Sequence, residues 1–261
     1  MTKKYNELTF TDDFIFCKIL TSKPDLCKEL LSLILNKDIN QISFPEGQKS
    51  IKKTEDGKGI RLDVYVEDEN ASYDIEMQTA ITKDLAKRSR YYQGMIDAEL
   101  LQKGASYREL KASYIIFICT EDPFDKGASV YTMQNRADEF NDLCLKDDCY
   151  KIFLNASGTS KNISKEMKDF LGYIETGKTN GDFTEALEKE VQKARNKEEW
   201  RAEYMTLEMK YQEKFDEGKV EGTLETLFSL VSDGIVSLTE AAKRSGLSEE
   251  DFSKKMREAS K

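Results

Sequence analysis

Histidine is missing from all 261 residues of this chain. That removes Ser-His-Asp and Cys-His nucleophile systems, HExxH metalloproteases, HNH-type nucleases and most catalytic zinc centres. Any hydrolysis must run on carboxylates, Lys, Tyr, Gln or a hard metal, and Mg²⁺ is the natural partner of oxygen ligands. Cysteine is sparse: Cys17, Cys27, Cys119, Cys144 and Cys149 are odd in number and form no CxxC pair. Reduced thiols filling apolar runs are expected, with neither a disulfide framework nor a zinc knuckle. Long apolar runs are absent as well. None approaches the ~18 residues of a membrane span, and MTKKYNELTF lacks the apolar stretch of a secretory signal. The expectation is a cytoplasmic protein with no membrane partner.

Apolar residues make up only 39% of the chain against 34% charged, so part of it is expected to be a solvated helical extension and not one large core. The net charge of -9 counts against a general grip on phosphates. Whole-chain charge does not describe one face, however, and an acidic metal site and an acidic tail can coexist with a local basic groove.

What is present divides the chain in two. Residues 11 to 36 predict two short helices parted at Ser22-Lys23-Pro24, the first capped by Thr11 and the second carrying Leu26, Leu30, Leu31, Ile34 and Leu35 at helical spacing. A short strand or loop follows over 39 to 52, then a β-hairpin with strands near 60 to 66 and 71 to 78 around Glu67-Asp68-Glu69-Asn70. A helix is expected over 84 to 103, packing Leu85, Tyr92, Met95 and Ile96. SYIIFICT, 113 to 120, suits a central strand covered on both faces. Shorter strands are expected near 129 to 133 and 150 to 154. This order is an α/β plan with a mixed sheet.

Residues 1 to 176 are read as one domain and 177 to 261 as a helical extension. In the extension a long charged helix carries Trp200, Tyr204, Leu207, Tyr211 and Phe215 at steps of three or four, with Val191 and Ala194 earlier. Such a stripe makes a packing seam or short coiled coil, supporting a homodimer or folding back on the core. The segment VSLTEAAKRSGLSEEDFSKKM has helix-turn-helix form, turning at Gly246 with Ser248 and Asp251 as a capping box. Glu249-Glu250-Asp251 would repel phosphate where recognition helices meet DNA, so a structural helical hairpin is the reading adopted.

The chemistry-bearing residues lie in the hairpin. Side chains alternate along a strand, so Glu76 and Gln78 share one face, and Asp63 falls within a few residues of the position opposite Glu76. Two carboxylates on one face can share a metal; alternatively, the hairpin has one wet face on which Asp74, Glu76 and Gln78 are merely polar. On the helix beyond, Lys83, Lys87 and Arg90 recur at i, i+4 and i+7, interleaved with Arg88, Tyr91 and Tyr92. That is either a phosphate-gripping surface or a solvated face.

The segments LTFTDDFIFCKIL, KGIRLDVYVEDE, YDIEMQT, KRSRYYQGMID, SYIIFICTEDPF and YKIFLN resemble the PD-(D/E)XK nuclease family transposases, the recombination-promoting nuclease (Rpn) family, over about residues 7 to 173. The resemblance implies a restriction-endonuclease-like α/β core with a mixed central sheet flanked by helices, plus the α-helical C-terminal extension. It implies an Mg²⁺-dependent DNA endonuclease, with Mn²⁺ as an alternative ion, linked to mobile elements, recombination or phage defence. Asp63 and Glu76 would be metal ligands with the Met77 carbonyl, and Gln78 would stand where the superfamily often has lysine. An amide cannot act as a cationic acid or base, so Gln78 can orient water or hydrogen-bond a phosphate oxygen. Asp13 would match an acid on the first helix that holds a metal-bound water, or else serves the helix N-terminus electrostatically. Lys83, Lys87, Arg88, Arg90 and Tyr91 would bind DNA. The rival reading is a catalytically weak nuclease-like scaffold that binds nucleic acid or protein.

Overall fold

The computed structural model describes residues 3 to 54, 56 to 80, 82 to 140 and 142 to 259. They form two compact units, Lys3–Lys197 and a helical unit from Glu198 onward.

The first unit is built on a six-stranded mixed sheet. Its strands are β1 (Glu46–Ile51), β2 (Ile60–Glu67), β3 (Ala71–Gln78), β4 (Ala112–Cys119), β5 (Val130–Met133) and β6 (Cys149–Asn155), in spatial order β1-β2-β3-β4-β6-β5. β3, β4 and β6 run parallel, while β1, β2 and β5 pair antiparallel. The central strand β4 is covered on both faces, with Ile115, Ile116, Phe117, Ile118 and Cys119 all fully buried. This is the restriction-endonuclease-like α/β arrangement expected from the chain.

Helices flank the sheet. Asp13–Ser22 (α1) and Pro24–Leu35 (α2) are parted at Lys23, where Pro24 opens the second helix without needing a backbone N–H. Thr11 does not cap α1. Asp12 holds that position and turns its carboxylate outward, accepting the Thr9 N–H at 2.7 Å and the Thr9 hydroxyl at 2.8 Å, with Lys3 at 2.8 Å. α1 packs against β1 and β2. The fit is close at Gly47, where a Cβ would come within 2.9 Å of the Thr21 methyl.

Leu85–Leu100 (α3) crosses from β3 to β4 over the other face, burying Leu85 and Ile96 against Leu62, Tyr65, Ile115, Phe117 and Phe153. It begins two residues after Lys83, which therefore lies outside the helix. Lys165–Thr176 (α4) is capped by Ser164, whose hydroxyl accepts the Met167 N–H, and stops at Gly177 in the left-handed region, φ 71°.

The compact unit runs past residue 176 to Lys197, because Asp182–Arg195 (α5) returns to it. Leu187, Val191 and Ala194 are buried, the Tyr5 hydroxyl donates to the Ala194 carbonyl at 2.6 Å, and Arg195 donates to the Leu8 carbonyl at 2.7 Å. Val191 and Ala194 thus belong to this core and not to the stripe of the following helix.

The second unit consists of Glu198–Ser232 (α6), Leu238–Ser245 (α7) and Glu249–Ala259 (α8). The end of α6 packs with α7 and α8 around Leu227, Ala241, Ala242 and Phe252. Gly246 ends α7 with φ 73°, and the Asp251 N–H donates to the Ser248 hydroxyl at 3.1 Å, giving the expected helical hairpin. The middle of α6 has no such cover: Met205, Met209, Phe215 and Val220 are all more than half exposed. Among the described residues no helix is long and apolar enough to cross a membrane.

Candidate active site

The site grows out of an interruption in the sheet. Asp63 is missing from both of its strand pairings: the β1–β2 register passes from Gly47↔Val64 to Lys49↔Leu62, and the β2–β3 register stops at Val64↔Ile75. Gln48, the residue opposite Asp63 on β1, has a φ of 53°. The register is the same on both sides of this gap, so no residue is inserted; the left-handed Gln48 interrupts the pairing at one position and leaves Asp63 without a strand partner. α1 backs the gap, where the Cys17 thiol donates to the Asp63 carbonyl at 3.2 Å.

With the ladder broken, the acids take over the backbone amides. The Glu76 carboxylate accepts the Asp63 N–H at 3.0 Å, and the Asp63 carboxylate accepts the Met77 N–H at 3.1 Å. Asp63 and Glu76 are therefore stitched together across the hairpin. Glu76 is 3% exposed, so it sits on no wet face.

Asp74 lies two residues earlier on the same face, fully buried, with neither oxygen receiving an N–H or hydroxyl hydrogen bond from the described residues. Burial raises its pKa well above the ordinary carboxylate value, helped by the charges of Glu76 and Asp63.

Burial also dominates the other two acids. It lifts Asp63 to about 6 against the opposing Met77 N–H, and the nearby Asp13 charge adds to the rise. It lifts Glu76 to about 8, reinforced by Asp63 and opposed by the Asp63 N–H and Arg88. Concentrated negative charge in a dry place is the condition that a cation relieves.

The donors are oxygens only: one amide-free oxygen on each of Asp63 and Glu76, and the Met77 carbonyl. That set suits a hard divalent ion which keeps several of its own waters. Among the described residues no group of three or more His, Cys, Asp and Glu side chains is arranged to hold a metal. The Met77 carbonyl accepts the Gln78 side-chain amide at 2.9 Å. Gln78 is thus turned along its own strand, and the Met77 carbonyl keeps a second lone pair.

The remaining expected residues fall into three places. Asp13 is the exposed first residue of α1, where its carboxylate accepts the Phe14 N–H at 2.8 Å, near enough for its charge to reach Asp63. Lys83, Lys87 and Arg90 are exposed. Tyr91 is 40% exposed and donates its hydroxyl to the Lys58 carbonyl, tying α3 to the loop before β2.

Arg88 turns inward, with Nη2 3.7 Å from the Glu76 carboxylate and its guanidinium over the Phe117 and Tyr92 rings at 5.1 Å and 5.7 Å. Sequence spacing groups it with its exposed neighbours. Its position one residue off their face was the available signal that it belongs with the acids.

Asp122, beyond the end of β4, is a loop knot. It accepts the N–H groups of Phe124, Lys126 and Gly127 and the Tyr131 hydroxyl at 2.6 to 3.0 Å.

No curated protein and no solved structure matches the chain. The PD-(D/E)XK nuclease family transposases match it over residues 10–221, which spans nearly all of the sheet unit and much of α6. The families under that name are nucleases that generally use divalent metal ions, so nucleic acid is the substrate class. With most of its length matched and the carboxylate hairpin in the expected place, this chain belongs to the PD-(D/E)XK nuclease family transposases.

Proposed function

We propose that the protein is an Mg²⁺-dependent endodeoxyribonuclease, with Mn²⁺ as an alternative ion, acting in mobile-element movement, recombination or phage defence in the cytoplasm. The observation that carries this reading is the reciprocal stitching of Asp63 and Glu76, which holds a buried and a half-buried carboxylate together at a break in the sheet. Asp63, Glu76 and the Met77 carbonyl would hold the ion. When bound, it lowers the pKa of water and offsets charge on a phosphate.

The chain's own groups do the rest. Asp63 and Glu76 fix the site's position through the backbone amides they accept. Gln78 orients water or a phosphate oxygen once its amide leaves the Met77 carbonyl, and Asp13 holds water from the side of α1. Lys83, Lys87, Arg90 and Tyr91 grip the DNA backbone outside the cleavage point, with Arg88 deeper in the site. In the net reaction one water is consumed. Its oxygen bonds to phosphorus, the bond to the 3′ oxygen breaks, that oxygen takes a proton, and the products are a 5′-phosphate and a 3′-hydroxyl.

Cutting is assigned to residues 1–176 with α5 packed on them, and within 177–261 the exposed apolar residues of α6 join two copies. One observation favours the scaffold alternative, namely that Gln78 is uncharged and occupied by its own strand. Supercoiled plasmid incubated with purified protein and Mg²⁺ or Mn²⁺ separates the two, since only the enzyme nicks or linearises it. A parallel assay on RNA tests the choice of DNA.

A further inference from the structure

Arg88 is out of keeping with a residue that only adds charge to a helix surface. Its side chain is 25% exposed, and Nε and Nη2 are buried without a hydrogen-bond acceptor among the described residues. The nearest carboxylate oxygen, on Glu76, is 3.7 Å away, which is electrostatic attraction and not a hydrogen bond. Glu76 has its other oxygen committed to the Asp63 N–H. Burying guanidinium donors with no acceptor is costly, so their retention beside three acids calls for an acceptor that arrives from outside.

The surroundings say what kind. The Phe117 and Tyr92 rings lie 5.1 Å and 5.7 Å from the guanidinium, and Nη2 lies 3.7 Å from the Glu76 carboxylate, so the fork sits between an aromatic wall and the acids. A planar, permanently charged fork beside aromatic rings suits two oxygens of a tetrahedral oxyanion. Carboxylate ligands are poor candidates, because the pocket already holds Asp63, Asp74 and Glu76. A phosphate diester bridged to those acids by a cation is the matching chemistry. Position 78 supplies no charge, and its amide is held by the Met77 carbonyl.

We propose that Arg88 is a catalytic residue: its guanidinium contacts the scissile phosphate and carries the positive charge that Gln78 cannot supply. This rests on the nuclease reading above and assigns Arg88 a different task from Lys87 and Arg90. As water adds to phosphorus and the bond to the 3′ oxygen breaks, charge builds on the non-bridging oxygens. Arg88 donates N–H hydrogen bonds to one of them and gives up no proton, since a guanidinium stays protonated.

The test uses the full chain with Arg88→Met, Arg88→Lys and the double variant Gln78→Lys/Arg88→Met, each checked for folding by thermal melting. With supercoiled plasmid and Mn²⁺, Arg88→Met is expected to lose cleavage rate by about 100-fold or more, the scale of losing one oxyanion donor. DNA affinity should change less than threefold. Arg88→Lys should keep more activity than Arg88→Met, and moving the charge to the strand in the double variant should recover at least tenfold.

Calorimetry with Mn²⁺ and no DNA gives a second readout: removing a cation 3.7 Å from Glu76 should tighten Mn²⁺ binding several-fold. A folded Arg88→Met that cuts as fast as wild type overturns the proposal, as does a loss confined to DNA affinity. If wild type cuts nothing, the nuclease reading fails first and the proposal falls with it. If wild type cuts and Arg88→Met also cuts, only the proposal fails.

Discussion

Glu76 accepts the backbone N–H of Asp63, and Asp63 accepts the backbone N–H of the residue after Glu76, at 3.0 Å and 3.1 Å. Each acid thereby replaces a strand-to-strand hydrogen bond, so the candidate site and the sheet share the same two contacts. A consequence is that alanine is a poor probe here, because it leaves a buried amide without an acceptor, at about 1 to 3 kcal/mol. Glu76→Gln keeps an acceptor and removes a buried charge. In metal-free buffer it is expected to melt at or above the wild-type temperature, whereas Glu76→Ala should melt below it. Differential scanning calorimetry on the two variants decides.

Lys87 and Arg90 stand exposed on α3, outside the acid cluster. If they grip phosphates, Lys87→Ala and Arg90→Ala should each weaken DNA binding regardless of sequence and lower the slope of log affinity against log salt by about one. Fluorescence anisotropy across a salt series measures both. An unchanged slope would make them ordinary solvated residues.

Much of this was legible in advance. The polar turn between two apolar runs marks the hairpin and brings Asp63 within a few residues of the position opposite Glu76; the pairing of their carboxylates with each other's backbone needs the structure. The unbroken apolar run of β4 announces a strand covered twice. The gap in the pairing at Asp63 is not legible, because Gln48 carries no mark of a left-handed residue. The break between α5 and α6 is hidden as well: residues 193 to 201, KARNKEEWR, are nearly all good helix formers, yet α5 ends at Arg195 and α6 starts at Glu198. The inward turn of Arg88 towards Glu76 is not legible, because in sequence it looks like its exposed neighbours Lys87 and Arg90.

Asp122 offers a test remote from the acids. Burial acts to raise its pKa, but the N–H groups of Phe124, Gly127 and Lys126 and the Tyr131 hydroxyl outweigh it and hold the carboxyl below the ordinary value. A depressed pKa contributes stability above the unfolded-state value, lost as pH falls through the folded-state one. Asp122→Asn is therefore expected to be less stable than wild type near neutrality, by about 1 kcal/mol once solvent screening is allowed for. The difference should shrink as pH falls through the range below about 4. Urea unfolding at both ends of that range measures it, and a pH-independent gap would contradict the account.

Phe215 is 67% exposed in the middle of α6, with Met209 62% exposed nearby. If this stretch joins two copies, light scattering should give twice the chain mass for wild type and the single mass for Phe215→Glu. A wild-type monomer at tens of micromolar would remove the dimer from the proposal and leave the site untouched.

The central claim is that Asp63 and Glu76 form a metal-dependent nuclease centre. Cleavage of supercoiled plasmid by wild type and by Glu76→Gln, with Mn²⁺, with Mg²⁺ and with EDTA, tests it most directly. The account predicts nicked or linear product from wild type with either ion, none with EDTA, and at least a 100-fold loss in a folded Glu76→Gln. Cleavage that survives EDTA, or that Glu76→Gln performs at the wild-type rate, would contradict it.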